Sequence, residues 1–540
     1  MSSDWELVCA EQRALELSRI PKEWRLPEAL VAQCNETSTL NVMDVPRTCG
    51  LLNAKQLDIT ENYDATALLE KLASGEFTSL EVTTAFCIRA AIAQQMLSCL
   101  TEIMFEDALV RAKYCDEYLA TNKKTLGPFH GLPISIKDSF DVKGYASTAG
   151  YVALLKRGPM EQNSACAQIL LDAGAVLYVK TNIPQTMMTA DSHNNIYGRV
   201  LNPNRLCQTA GGSSGGEGAL IAFRGSVLGV GTDIAGSIRI PAFANGTVGL
   251  RPTALRVPYK GQAGGRRVGH PGVLSTAGPL AHSLRDLDLF MKVVTNGACW
   301  QYDEGALNVP WRPAEKKKIL RIGTITEDER YPLHPTVLRA LETAKAALVA
   351  KGHTIIPLDD KLPESLYKTA MTGFQYFAID PTAAITELIK KGGEPPIPSL
   401  ASTTHPDLEA LVPDLELFFQ LNRSRKEHAH GWRQMLVENQ VDVVLMPIYQ
   451  GTAPRHDEFG LPVYTTIVNV LDFPSIVIPY QKGNKELDAE YVRDVRYAPA
   501  YEPECSEGMP ASIQFVGRHH LDDEQLVQDS ITIAEALGFN

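Results

Sequence analysis

The sequence predicts an α/β fold: one large, mixed, mainly parallel β-sheet sandwiched between layers of α-helices. Two patterns carry that expectation. Strand and helix periodicities alternate at residues 133–137, 163–172 and 176–180, and again at 319–325, 337–348 and 354–358. This is the rhythm of βαβ units, whose crossover helix lays two strands parallel. Late in the chain, residues 443–446 and 475–478 are apolar runs bounded by Pro447, Pro474 and Pro479, as strands buried on both faces are.

Each element has its own signal. In 133–137, Ile134 and Ile136 alternate with Ser135 and Lys137, so a strand delivers a lysine at its carboxyl end. Asp64 is placed to cap a helix carrying Ala67, Leu68 and Leu72, and Gly75 stands where a C-terminal glycine belongs. Thr78-Ser79-Leu80-Glu81 reads as a capping box opening a helix through Ala91 or beyond. Residues 1–60 read as a helical arm with Trp5, Trp24 and Leu26 available for packing, ahead of a main domain at 61–540. Within that domain, aromatic and charged residues at helical spacing over about 370–440 read as a helical insertion over one face.

At 540 residues the chain exceeds the size at which a single core usually stops growing, so one large unit or two are both open. A composition of 44% hydrophobic and 21% charged residues is that of an ordinary globular protein. The net charge of −12 comes without a basic block, which argues against a nucleic-acid surface. Lys316, Lys317 and Lys318 precede an apolar run and read as a solvated strand approach. Ten cysteines are scattered without CxxC pairs, so reduced thiols and a cytoplasmic location are expected. The leading MSSDWELVCAEQ lacks the positive-then-apolar order of a secretory signal. No apolar run approaches the ~18–20 residues of a membrane span.

The most unusual stretch is Gly211-Gly212-Ser213-Ser214-Gly215-Gly216-Glu217-Gly218, followed by Gly231-Thr232-Asp233-Ile234-Ala235-Gly236-Ser237-Ile238-Arg239-Ile240-Pro241. Glycine allows close backbone approaches, so two such loops around a short apolar helix at 219–223 could bring three hydroxyls near one point. A pair of ordinary turns accounts for the glycines equally well. Nucleotide binding lacks GxxxxGK[ST] and a strand-to-helix GxGxxG. Gly212-Ser213-Ser214-Gly215-Gly216 satisfies GxSxG, but a nucleophile elbow must follow a buried strand, and residues 202–210 are polar and contain Pro203. His130, His193, His519 and His520 fall in no HExxH pattern and read as surface or core histidines, with no metal site.

Both segments resemble, nearly position for position, the glycine-serine region of the amidase signature family. Pro133-Ile134-Ser135-Ile136-Lys137-Asp138 is similar to the family's lysine-bearing strand, and residues 465–479 and Ile513-Gln514-Phe515-Val516-Gly517-Arg518 are similar to its late sheet and closing motif. The resemblance covers roughly residues 60–535. Within the family, Gly216-Glu217-Gly218-Ala219-Leu220-Ile221, residues 181–187 and Gly249-Leu250-Arg251-Pro252-Thr253 look like the branch of fatty-acid amide hydrolases and fungal acetamidases.

The resemblance implies the amidase signature fold and a Ser-Ser-Lys triad. Ser237 attacks the carbonyl, Ser213 takes its proton, and Lys137 accepts that proton from Ser213. It also implies a cis Gly212–Ser213 peptide and an oxyanion hole of backbone N–H groups from Ile234, Ala235, Gly236 and Ser237. Ser214, Asp233 and Arg239 take supporting places, and Met187 lies near the bound acyl group. A purely structural ion pair and a core methionine are the plainer readings of Asp233–Arg239 and Met187. The family's usual Gly-Gly-Ser reads Ala235-Gly236-Ser237 here, so a positive φ at 235 would strain the alanine.

Serine attacks well only when a base relieves it of its proton, and a charged lysine cannot serve. Lys137 must therefore be held neutral by burial or nearby cations, and activity is expected to rise toward alkaline pH. The resemblance implies hydrolysis of a small-molecule amide through an acyl-enzyme, releasing an acid and ammonia or an amine. No metal or organic cofactor, nucleic acid or membrane span is implied, and a homodimer is open. The same nucleophile serves an esterase, a urethanase or a biosynthetic acyl transferase. A glutaminase-like amidotransferase subunit is a further reading, against which the leading arm and Gly216-Glu217-Gly218 favour a stand-alone enzyme. Loops at 256–273 and 370–430 are expected to set the substrate.

Overall fold

The computed structural model describes residues 4–539 except 266–268, 270, 271, 381, 404, 410 and 496. Among them the strands are β1 (Leu100–Ile103), β2 (Pro133–Lys137), β3 (Val176–Thr181), β4 (His193–Asn194), β5 (Gly198–Arg199), β6 (Leu228–Asp233) and β7 (Val248–Arg251). They continue with β8 (Thr276–Ala281), β9 (Arg321–Thr324), β10 (Thr354–Pro357), β11 (Val443–Met446), β12 (Ser475–Lys482) and β13 (Pro510–Val516). Eleven form one sheet in the order β1-β3-β2-β6-β8-β7-β12-β13-β11-β9-β10, and β4 and β5 pair separately.

The sheet is mixed and flanked by helices, as expected, but its weighting differs. Four of its ten pairings are parallel and six antiparallel. The helix Ala165–Asp172 links β2 to β3 and the helix Pro335–Ala350 links β9 to β10, and both of these pairs are parallel. The central strands β6, β7, β8 and β13 are buried along their whole length. Such apolar runs carry no sign of strand direction, which only the connections decide.

The local signals act as read. Asp64 accepts the Ala67 N–H at 2.9 Å, and Gly75 closes the helix Ala65–Ser74 in the left-handed conformation. Thr78 and Glu81 form a reciprocal capping box on the helix Ser79–Leu97, which runs past Ala91 almost entirely buried. Leading residues pack on the body of the sheet. Glu16 accepts the Ile103 N–H of β1 at 2.8 Å, the Leu26 N–H meets Gln95 Oε1 at 2.8 Å, and Ile20, Leu26, Val42 and Leu52 join the main core. Over 370–440 the chain forms the helices Leu366–Ala378, Ala384–Gly392 and Leu415–Glu438. In the loop 256–273, residues 266–268, 270 and 271 lie outside the described residues.

Candidate active site

The fold brings together three separated pieces of chain: the end of β2, the glycine-serine turn before helix Gly215–Ala222, and the turn between β6 and helix Arg239–Asn245. Lys137, the last residue of β2, is fully buried, and its Nζ lies 2.7 Å from Ser213 Oγ and 2.7 Å from Thr232 Oγ1. Burial pushes its pKa down to about 7, against the pull of Asp233, Glu217 and Asp138, which favour the charged amine.

Ser213 follows a cis peptide from Gly212. The Ser214 N–H donates to the Ser237 carbonyl at 3.1 Å, and Ser214 Oγ bridges the Thr232 N–H and carbonyl at 3.3 Å each, so the two serine turns are tied backbone to backbone. Ser237 keeps 8% exposure. Its hydroxyl makes no hydrogen bond within the described residues, whereas the Lys137–Ser213 contact is formed.

The turn carrying Ser237 is braced from beneath. Asp233 accepts the Gly236 N–H at 2.8 Å and the Ile238 N–H at 3.2 Å, and pairs with Arg239 Nε and Nη2 at 3.1 Å each. Burial by itself would raise this carboxyl, but Arg239, Arg251 and Asn469 hold it down to about 2. Arg239, also fully buried, reaches Gln514 Oε1 at 2.8 Å and Asn469 Oδ1 at 2.6 Å, linking the turn to β13 and to helix Val463–Leu471. Of the four expected oxyanion donors, the Gly236 N–H is thus directed at Asp233. Those of Ile234, Ala235 and Ser237 meet no acceptor among the described residues. Ala235 has no positive φ, so its methyl is accommodated without strain; the positive φ of 120° falls on Gly236, where a Cβ would collide with Thr465.

The chain matches the amidase family over residues 81–527. It is 39% identical over 536 residues to an amidase of Gibberella moniliformis, covering 99% of both chains, and 38% identical over 557 residues to an acetamidase of Emericella nidulans, covering 100% of this chain and 98% of the other. The chain belongs to the amidase (amidase signature) family. Its fold is similar to the solved structure of a fatty acid amide hydrolase, with a TM-score of 0.91 and 32% identity over 99% of this chain and 95% of that one. The protein is accordingly an amidase, a hydrolase acting on amides.

Beside the Ser237 turn, this amidase has an apolar cavity of about 440 Å³, with Ala235, Met188, Phe374, Phe377, Ile389 and Phe459 among its walls. Met187 does not line it. It packs half-buried next door, with Tyr151, Ile183 and Ile389. Two of the histidines sit in structural contacts: His130 Nδ1 accepts the Leu126 N–H at 3.1 Å, and His520 meets Asp472 at 3.2 Å. Among the described residues no group of three or more His, Cys, Asp or Glu could hold a metal ion, and no helix is long and apolar enough to cross a membrane.

Sequence reading missed Thr232, Glu217, Asn469 and Gln514. Thr232 and Glu217 sit inside the glycine-serine stretch and could have been singled out as the polar residues there with no turn to make. Asn469 and Gln514 fall in the late stretches that resemble the family, but nothing there assigns them to the site, which they reach from 230 and 275 residues away through Arg239.

Proposed function

We propose that the chain hydrolyses its amide through Ser237 as nucleophile, Ser213 as proton relay and Lys137 as base, by way of an acyl-enzyme. The observation that carries this reading is the 2.7 Å contact between Ser213 Oγ and a fully buried lysine amine. An amine with a pKa of about 7 is neutral often enough at physiological pH to take a proton, where an ordinary lysine is not. Ser213 then carries the proton from the Ser237 hydroxyl to Lys137, and later returns it to the leaving nitrogen. The Ser213–Ser237 contact closes when substrate fills the site, as hydrogen bonds of catalytic sets do. The unoccupied amides of Ile234, Ala235 and Ser237 face the developing oxyanion, while Asp233 and Arg239 hold the turn in shape.

The substrate we infer is an amide with an apolar acyl group seated in the cavity at Ala235. Its volume of about 440 Å³ lies within the range of small-molecule sites. Relatives named acetamidase and fatty acid amide hydrolase bracket the acyl lengths to be tried. Ser237→Ala should abolish both turnover and covalent labelling by a fluorophosphonate while melting like the parent. Labelling that persists in this variant would place the nucleophile elsewhere. Amide release by purified chain without a partner protein would dispose of an amidotransferase-subunit role, and a panel of acetamide, aryl amides, long-chain amides, esters and carbamates ranks the bonds cut.

A further inference from the structure

Glu217 takes no step in the mechanism above, yet its carboxyl is fully buried next to the lysine. It lies in helix Gly215–Ala222, into which Ser213 and Ser214 lead. Its two oxygens accept the Ser135 hydroxyl at 2.6 Å and the Thr181 hydroxyl at 2.9 Å. Ser135 stands two residues before Lys137 on β2, and Thr181 is the register partner of Lys137 on β3. Room for the carboxylate comes from Gly229 on β6, opposite Ser135, where any Cβ would collide with it. One side chain thus ties the helix that presents Ser213 to both strands that place Lys137.

Carboxylates act on Lys137 from three directions: Asp138 on its own strand, Asp233 at the end of β6, and Glu217 from the helix. Two of them are otherwise engaged. Asp233 is paired with Arg239, and Asp138 accepts the Thr148 N–H and hydroxyl and the Ala149 N–H, with the buried Lys180 close by. Among the described residues Glu217 accepts hydrogen bonds only from the two hydroxyls; the charged group it faces is Lys137, with the buried Cys99 thiol and Tyr178 hydroxyl the other titratable groups it acts on. Burial lifts its carboxyl to about 7, the same range to which burial lowers the lysine, and the charge of each acts on the other.

We propose that Glu217 is the positioning residue of Lys137: it clamps the Ser213 helix to β2 and β3, and its charge governs how readily the lysine releases its proton. This rests on the Ser237–Ser213–Lys137 reading. The test follows the rate at which a fluorophosphonate labels Ser237 as a function of pH, a readout that requires no choice of substrate. Glu217→Gln keeps the size of the side chain and one acceptor oxygen, offers an NH2 that the other hydroxyl can accept from, and removes the charge. A negative neighbour favours the protonated amine, so its loss should move the acid limb to lower pH by about one unit, tenfold in proton affinity. Glu217→Ala, which loses the clamp, should lower the plateau rate by about tenfold or more, with Glu217→Gln retaining most of it.

An unmoved acid limb in a Glu217→Gln protein that melts like the parent overturns the proposal. Should that variant fail to fold, Glu217→Asp decides: a charge kept on a shortened clamp should reduce the plateau and leave the limb in place, and an unchanged plateau counts against the clamp. Lys137→Ala separates the two levels. If it labels at the parental rate, the triad reading falls; if it is inert while the Glu217→Gln limb stays put, only the role of Glu217 is lost.

Discussion

At the scale of single residues, the proposed triad depends on removing water from an amine. Lys137 is taken from its ordinary alkaline range to about 7 by burial, against three carboxylates that oppose the shift. With the neutral amine as the working form of the proposed triad, kcat/KM should climb as pH rises through about 7 and level off above it. A profile flat from pH 5 to 9 would remove Lys137 as the base. Lys137→Ala should cost about 10²–10⁴ in kcat, the usual worth of a positioned base. Asp233 is the other residue on which much hangs, since it neutralises Arg239 and orders two amides of the nucleophile turn. Asp233→Ala strands a buried guanidinium, and urea unfolding should report a loss of about 3–5 kcal/mol, together with slower fluorophosphonate labelling.

At the scale of elements, the site is held by turns whose ends lie far apart in sequence. The capping signals at Asp64 and Thr78–Glu81 are local, each joining groups three residues apart, and so were legible without the fold. Thr78→Ala should cost about 1 kcal/mol of stability, readable as a shift in urea midpoint with an unchanged slope. We propose that residues 1–60 act as an arm securing edge strand β1, through Glu16 at the Ile103 N–H, Arg19 at Glu102, and Leu26 at Gln95 of the helix Ser79–Leu97. Two of the three helices between 366 and 438, Leu366–Ala378 and Ala384–Gly392, wall the cavity next to Ala235, within the stretch where the sequence suggested an insertion.

At the scale of the whole molecule, the proposed acyl site lies where those two helices meet the Ser237 turn. Ala378 is one of the cavity walls. Ala378→Trp should lower kcat/KM for amides with bulky apolar acyl groups by about 10–200-fold, the range a filled apolar pocket commands, while hydrolysis of acetamide changes little. Equal losses for both would show that the cavity is not the acyl site. Strand direction also belongs to this scale. The sheet's helix-linked pairs follow the βαβ reading, but its centre is antiparallel because β6, β8, β7, β12 and β13 are joined by connections that no window of sequence reveals.

What the amino-acid order determined by itself is local in origin: strand and helix positions, caps, the lysine at a strand end, and two glycine-serine turns whose pattern marks the family. These are encoded over a few residues, by periodicity and by the backbone freedom of glycine. The tertiary structure alone decided which polar groups surround Lys137, that the Gly236 amide is directed at Asp233 while Ala235 rests unstrained, and that Met188 rather than Met187 faces the cavity. Burial and electrostatic coupling act through space between residues up to 275 positions apart, and sequence distance carries no information about them.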